Sequence, residues 1–101
     1  MRRTALTIAA ISLALTSVAR GDPLAEDGPG CKDKTIAAKL IGLEDFDPAY
    51  IEIWAKGMQD QSCRGYSAGQ EVTVDERADG MACVRAADDE ACFWVRESMA
   101  P

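Results

Sequence analysis

The chain has 101 residues, with 17 acidic and 11 basic side chains, four cysteines and no histidine. Without histidine it lacks the commonest general base and metal ligand. A formal charge of −6 argues against nucleic acid and anionic lipid as partners, because both repel an acidic surface.

The opening "MRRTALTIAAISLALTSVAR" sets Arg2 and Arg3 before an apolar and small-residue run from Thr4 to Ala19. Ser17 and Ala19 suit signal peptidase, so residues 1–19 are predicted to be a signal peptide for the general secretory route. The run is too short and too rich in Thr, Ser and Ala for a spanning helix, which needs about 20 strongly apolar residues. No membrane insertion is expected. Loss of Arg2 and Arg3 leaves 9 basic residues against 17 acidic ones, a formal charge of −8 on the mature chain. Export places it in the periplasm, or outside the cell altogether. In such a compartment an even cysteine count reads as disulfides that compensate for a small core.

Residues 20–30, "RGDPLAEDGPG", combine two prolines, three glycines and four charges without periodicity. That composition predicts a flexible leader, and residues 31–101 then form a single α+β domain. From Asp33, a candidate N-cap, the apolar positions Ile36, Ala37, Leu40 and Ile41 recur at helical spacing up to Gly42. A second helix starts at Asp47-Pro48, with Phe46 placed to staple onto Ile51. Its predicted inward stripe is Ile51, Trp54, Ala55 and Met58. The helices thus occupy about 33–61.

A sheet over about 63–99 follows. "QEVTVDE" alternates, with Val72 and Val74 on one face and Glu71, Thr73 and Asp75 on the other. Asp79-Gly80 is a hairpin turn. "MACVRA" and "ACFWVR" are two further strands joined by "ADDE".

The cysteine that opens two short helices, a second after them, "CRGYSAGQEVTV", the "ACVR" strand and the closing "CFWVRESM" resemble small exported bacterial proteins of unassigned function. The resemblance spans roughly residues 31–99. It implies two short N-terminal helices packed on a small antiparallel Src-homology-3-like barrel, five-stranded or incomplete. Such barrels often serve as targeting or binding modules and are rarely catalytic.

Cys31, Cys63, Cys83 and Cys92 allow three pairings. If "ADDE" is the loop, Arg85 faces Glu90 and Cys83 falls opposite Cys92, within disulfide reach. Cys31 with Cys63 is then the complementary bridge, from the start of the first helix to the end of the second. A thiol redox site would need closely spaced cysteines at a helix start, and a zinc knuckle would need at least one close pair; neither spacing occurs. Histidine is absent as a base and no Ser or Cys sits in a recognisable nucleophile elbow, so no catalytic residue is assigned. The carboxylates of "LEDFD" and "ADDE" read as solvated loops rather than a glycosidase pair, and Asp88, Asp89 and Glu90 lack the spaced oxygens of a calcium loop. No cofactor and no metal are expected.

Phe93 and Trp94 are adjacent on a strand and must point to opposite faces. If Phe93 joins Val84 and Val95 inside, Trp94 shares the cysteine face. Packing on the Cys83–Cys92 bridge or under the helices is the simpler reading of Trp94. The alternative is a binding surface formed with Tyr66. An aromatic patch rimmed by acids would suit a basic protein partner. The functional expectation is a non-catalytic module that binds another protein, as an inhibitor, immunity-type or accessory protein. The alternatives are a ligand binder of the cell envelope, taking wall peptide or glycan around Tyr66 and Trp94, and a thiol redox factor.

Overall fold

The computed structural model describes residues 21–101. The signal-peptide reading of residues 1–19 lies outside the described residues. Among the described residues the architecture is α+β, with two helices, a six-stranded antiparallel sheet and two disulfides.

The segment expected to be a flexible leader instead carries two strands, β1 (Asp22–Pro23) and β2 (Gly28–Cys31). Leu24 between them is buried in the core at 3% exposure. Gly30 explains why a Gly- and Pro-rich stretch can sit inside a fold. A Cβ there would lie 2.9 Å from both the Tyr66 ring and Val95, so the missing side chain is what lets the strand close on them. Two strands therefore precede the helices, which correct the expectation that the helices open the domain.

Helices α1 (Lys34–Ile41) and α2 (Pro48–Gln59) begin where the sequence sets them. The Asp33 carboxylate accepts from the backbone N–H groups of Thr35 (2.8 Å) and Ile36 (3.1 Å), and α1 stops at Gly42. Asp47 accepts from Ala49 N–H at 2.8 Å, with Pro48 in the first turn. These satisfy N–H groups that the first turn leaves without partners. Helix α1 turns Ile36, Ala37, Leu40 and Ile41 inward, as expected. Helix α2 keeps only Trp54 of its predicted inward stripe. Tyr50, Ile53, Trp54 and Gly57 face the body, while Ile51, Ala55 and Met58 point outward, and Phe46 is exposed rather than stapled.

The other strands are β3 (Cys63–Tyr66), β4 (Glu71–Ala78), β5 (Met81–Arg85) and β6 (Phe93–Arg96), with a 3-10 turn over Glu97–Met99. Their order in the sheet is β1-β4-β5-β6-β2-β3, which leaves β1 and β3 at its two ends. Asp79 and Gly80, both at positive φ (53° and 75°), make the tight β4–β5 turn. Val72 and Val74 face inward as expected, until a bulge between Val74 and Glu76 breaks the alternation. Segments 22–31 and 63–72 pair in one register from end to end: Asp22 faces Val72, and Cys31 faces Cys63. Between the two ladders, Leu24 N–H donates to the Gln70 carbonyl (2.9 Å) and Gly69 N–H donates to that of Leu24 (2.8 Å).

The β5–β6 register differs from expectation. Cys83 faces Trp94 and Val84 faces Phe93. Arg85 is paired with Asp75 on β4 (3.1 Å) instead of facing Glu90. The connection 86–92 is longer than "ADDE", because Asp89 N–H donates to the Ala86 carbonyl (3.0 Å) and closes a turn of its own. Two cores result, one on each face of the sheet. Leu24, Tyr66, Val72, Val84, Phe93, Val95 and Met99 fill one face. Cys31, Cys63, Met81, Cys83 and Trp94 on the other are covered by Ala37 and Leu40 of α1.

Candidate functional site

Both expected disulfides are present, Cys31–Cys63 with Cα atoms 4.0 Å apart and Cys83–Cys92 with Cα atoms 5.3 Å apart. Their settings differ from the prediction. Cys31 ends β2 and Cys63 opens β3, so this bridge links directly opposed strand residues rather than two helix ends. Cys83–Cys92 runs diagonally, since Trp94 holds the position opposite Cys83. Neither bridge presents a free thiol.

The aromatic pair proposed as a binding surface is not a surface. Tyr66 is 3% exposed and Trp94 9%, and they belong to cores on opposite faces of the sheet. Trp94 packs with the cysteines beneath α1, with the Lys34 ammonium 5.2 Å from its ring centroid. That is the packing role the sequence offered as the simpler reading.

Tyr66 is built into a polar knot instead. Its hydroxyl donates to Asp89 Oδ2 (2.8 Å), an oxygen that also accepts from Ala86 N–H (2.9 Å). The Arg64 guanidinium donates to Asp89 Oδ1 and lies over the Tyr66 ring, 4.7 Å from its centroid. The Asp89 side chain is only 5% exposed, so one acid of "ADDE" fixes its loop while Asp88 and Glu90 stay in solvent. Among the described residues no three Cys, Asp or Glu side chains are placed to hold a metal ion.

Burial first, then the bond to Asp89, holds the Tyr66 hydroxyl well above the ordinary phenol range. Because the folded value exceeds the unfolded one, this stability is complete below about pH 10 and is lost as pH rises further. An ultraviolet titration should therefore find that Tyr66 ionises only together with alkaline unfolding, and that Tyr66→Phe removes this part of the pH dependence. The Phe variant also forfeits about 1 kcal/mol at neutral pH, the net worth of one hydrogen bond. A Tyr66 signal at ordinary phenol pH with the fold intact would refute the burial argument.

The exposed apolar side chains lie elsewhere. Among the described residues, Phe46 (78% exposed), Ile51 (55%) and Met58 (48%) are the large hydrophobics that reach solvent, and all belong to α2 or its approach. Ile51, Ala55 and Met58 recur at i, i+4 and i+7, one row along the helix. Glu44, Asp45 and Asp47 surround Phe46 in the chain, and Glu52 neighbours Ile51. Beyond Met58 the row opens into a groove of about 600 Å³ bounded by Lys32, Arg64, Asp88, Glu90 and Phe93.

Sequence periodicity missed this face because α2 is apolar almost all round, so several phases fit it. The one signal that fixes the phase is Gly57, the single buried residue of α2. Its absent side chain lets the helix rest on Cys63, whose Sγ would lie 2.5 Å from a Cβ at that position. In comparison with known proteins, no protein-family model, curated protein or solved structure matches the chain.

Proposed function

We propose that the chain is an exported, non-catalytic module that binds another protein, of basic character, through the outward row of α2. The observation that carries this reading is the concentration of exposed Phe46, Ile51 and Met58 on one helix and its approach, in a strongly acidic chain. Exposed apolar side chains grouped together and rimmed by polar ones mark contact surfaces, and a helix row spaced i, i+4, i+7 is a recurring way to present anchors to a partner. Acids around Phe46 favour a partner of opposite charge. The two disulfides fit an oxidising compartment. Among the described residues no helix is long and apolar enough to cross a membrane. Periplasmic or secreted placement follows from the predicted signal peptide.

The accompanying fold proposal is an incomplete Src-homology-3-like barrel. Its support is the common register of segments 22–31 and 63–72, together with the pairing of Cys31 in β2 with Trp94 in β6. The envelope-ligand alternative rested on Tyr66 and Trp94, and their burial removes the residues it would have used.

Photo-crosslinking side chains at positions 51 and 58 of the exported protein, in the cells that make it, test the proposal. Both positions should yield the same adduct with one basic protein, whereas Ala38, exposed on α1, should yield none. Met58→Glu should weaken the complex tenfold or more, as loss of a central anchor does, with the melting temperature unchanged. Equal labelling from position 38, or none from 51 and 58, would remove the assignment of this face.

A further inference from the structure

On the other flank of α2, residues Glu52, Ile53, Lys56, Gly57 and Asp60 form a second row, and between it and α1 lies a groove of about 690 Å³. Its floor is Ile36 of α1 with Ile53 and Gly57 of α2. The rim carries Asp33, Glu52 and Asp60, against the single cation Lys56. We propose that this groove receives a lysine or arginine side chain of the protein partner, with the aliphatic stem on the apolar floor and the cationic head at the acidic rim. The inference rests on the protein-binding reading and names a recognition element for it.

The match is one of chemistry along the length of a side chain. Lysine and arginine bury an apolar stem and keep a charged end at the rim, and the groove has the same division from floor to rim. A wholly apolar side chain would cover carboxylates without satisfying them, which costs free energy. An acidic side chain would meet three like charges. A second copy of the chain would bring its own excess of acid.

Two of the carboxylates are held in place before any partner arrives. Asp33 Oδ1 caps α1 through Thr35 and Ile36, and Asp60 Oδ1 accepts from the Ser62 N–H (2.9 Å) and hydroxyl (2.6 Å). Those bonds from Ser62 lower the Asp60 pKa below its usual value and keep the group charged. Each aspartate therefore already has one oxygen held by hydrogen bonds, so little side-chain order is lost on binding.

Side-chain mimics supply the test. In an amide NMR titration, n-butylguanidinium and n-butylammonium should shift Ile36, Ile53, Gly57 and Ser62 saturably, with Kd on the order of 10 mM for so small a ligand. Butyrate should shift none of them, and n-butanol should bind several-fold more weakly than either cation. Glu52→Gln and Asp60→Asn should each weaken the cations about two- to fivefold, the worth of an exposed charge pair. The same spectra report whether the variants stay folded, and asparagine can still accept from Ser62. Equal binding of n-butanol, shifts confined to the Asp88–Glu90 loop, or no saturable shift would each overturn the proposal. If crosslinking from positions 51 and 58 persists while the mimics fail, the groove alone is lost and the protein-binding reading stands.

Discussion

Replacing Cys31 and Cys63 together by alanine should lower the stability of the protein by about 4 kcal/mol, and replacing Cys83 and Cys92 together by about 3 kcal/mol. The ranking comes from the loops the bridges close, with sequence separations of 32 and 9 residues. A cross-link removes more freedom from the unfolded chain as its loop grows, but only logarithmically, so the bridges differ by about 1 kcal/mol. Topology points the same way. The longer loop contains both helices, and Gly57 is the one buried residue of α2, so the bridge beneath it adds to the partly buried Tyr50, Ile53 and Trp54 in holding the helix to the sheet. A domain of this size commonly has about 5–10 kcal/mol in total, and the first variant should approach half-unfolding in mild denaturant. Urea titration of both double variants, each free of leftover thiols, decides the matter. Equal losses, or a larger loss from Cys83 and Cys92, would show that the helices stay in place without the bridge.

The second large effect should come from Gly57→Ala, a change that ordinarily strengthens a helix by about 1 kcal/mol. Here it should destabilise by about 1–3 kcal/mol, the usual cost of overpacking. The added methyl would meet Cys63 at both Sγ (2.5 Å) and Cβ (2.7 Å). Neither atom can swing aside, because the side chain is tied to Cys31 and Cys63 is buried. Thermal melts of Gly57→Ala, with Ala55→Gly as the exposed control on the same helix, measure the difference. In the background lacking Cys31 and Cys63 the penalty should shrink, since the obstructing sulfur is gone. A higher melting temperature for Gly57→Ala in the intact protein would mean that α2 does not rest on the disulfide.

Gly57 also explains which parts of the molecule could be read from the sequence. Features set by a few neighbouring residues were accessible. Asp33 and Asp47 cap their helices, Gly42 ends the first, and Asp79-Gly80 turns the hairpin, because each acts through its own backbone. The cysteine pairing was accessible too, by elimination and strand proximity. Features that depend on a distant contact were not. The phase of α2 is decided by contact with Cys63, six residues on and in another element. The strands of residues 22–31 are hidden in a composition that normally marks loops, since Gly30 is there to make room for Tyr66 and Val95. Asp89 passed for one more solvated acid, because nothing local connects it to Tyr66 and Arg64. Tyr66 and Trp94 were paired as aromatics near in a curled sheet, but alternation along their separate strands sends them to opposite faces.

The unbroken register between segments 22–31 and 63–72 bears on the order in which the molecule assembles. The hairpin of β4 and β5 needs only neighbouring residues and can form early. The pairing of β1 with β4 and of β2 with β3 must bridge roughly 30 to 50 residues of chain, and non-local pairing of this kind is slow because loop closure must come first. A segment that emerges early in synthesis thus waits for partners made much later. Cys31 and Cys63 form the rung with the shortest loop to close, 32 residues, so the moment at which this pair becomes resistant to thiol-blocking reagents should time the start of that long-range pairing.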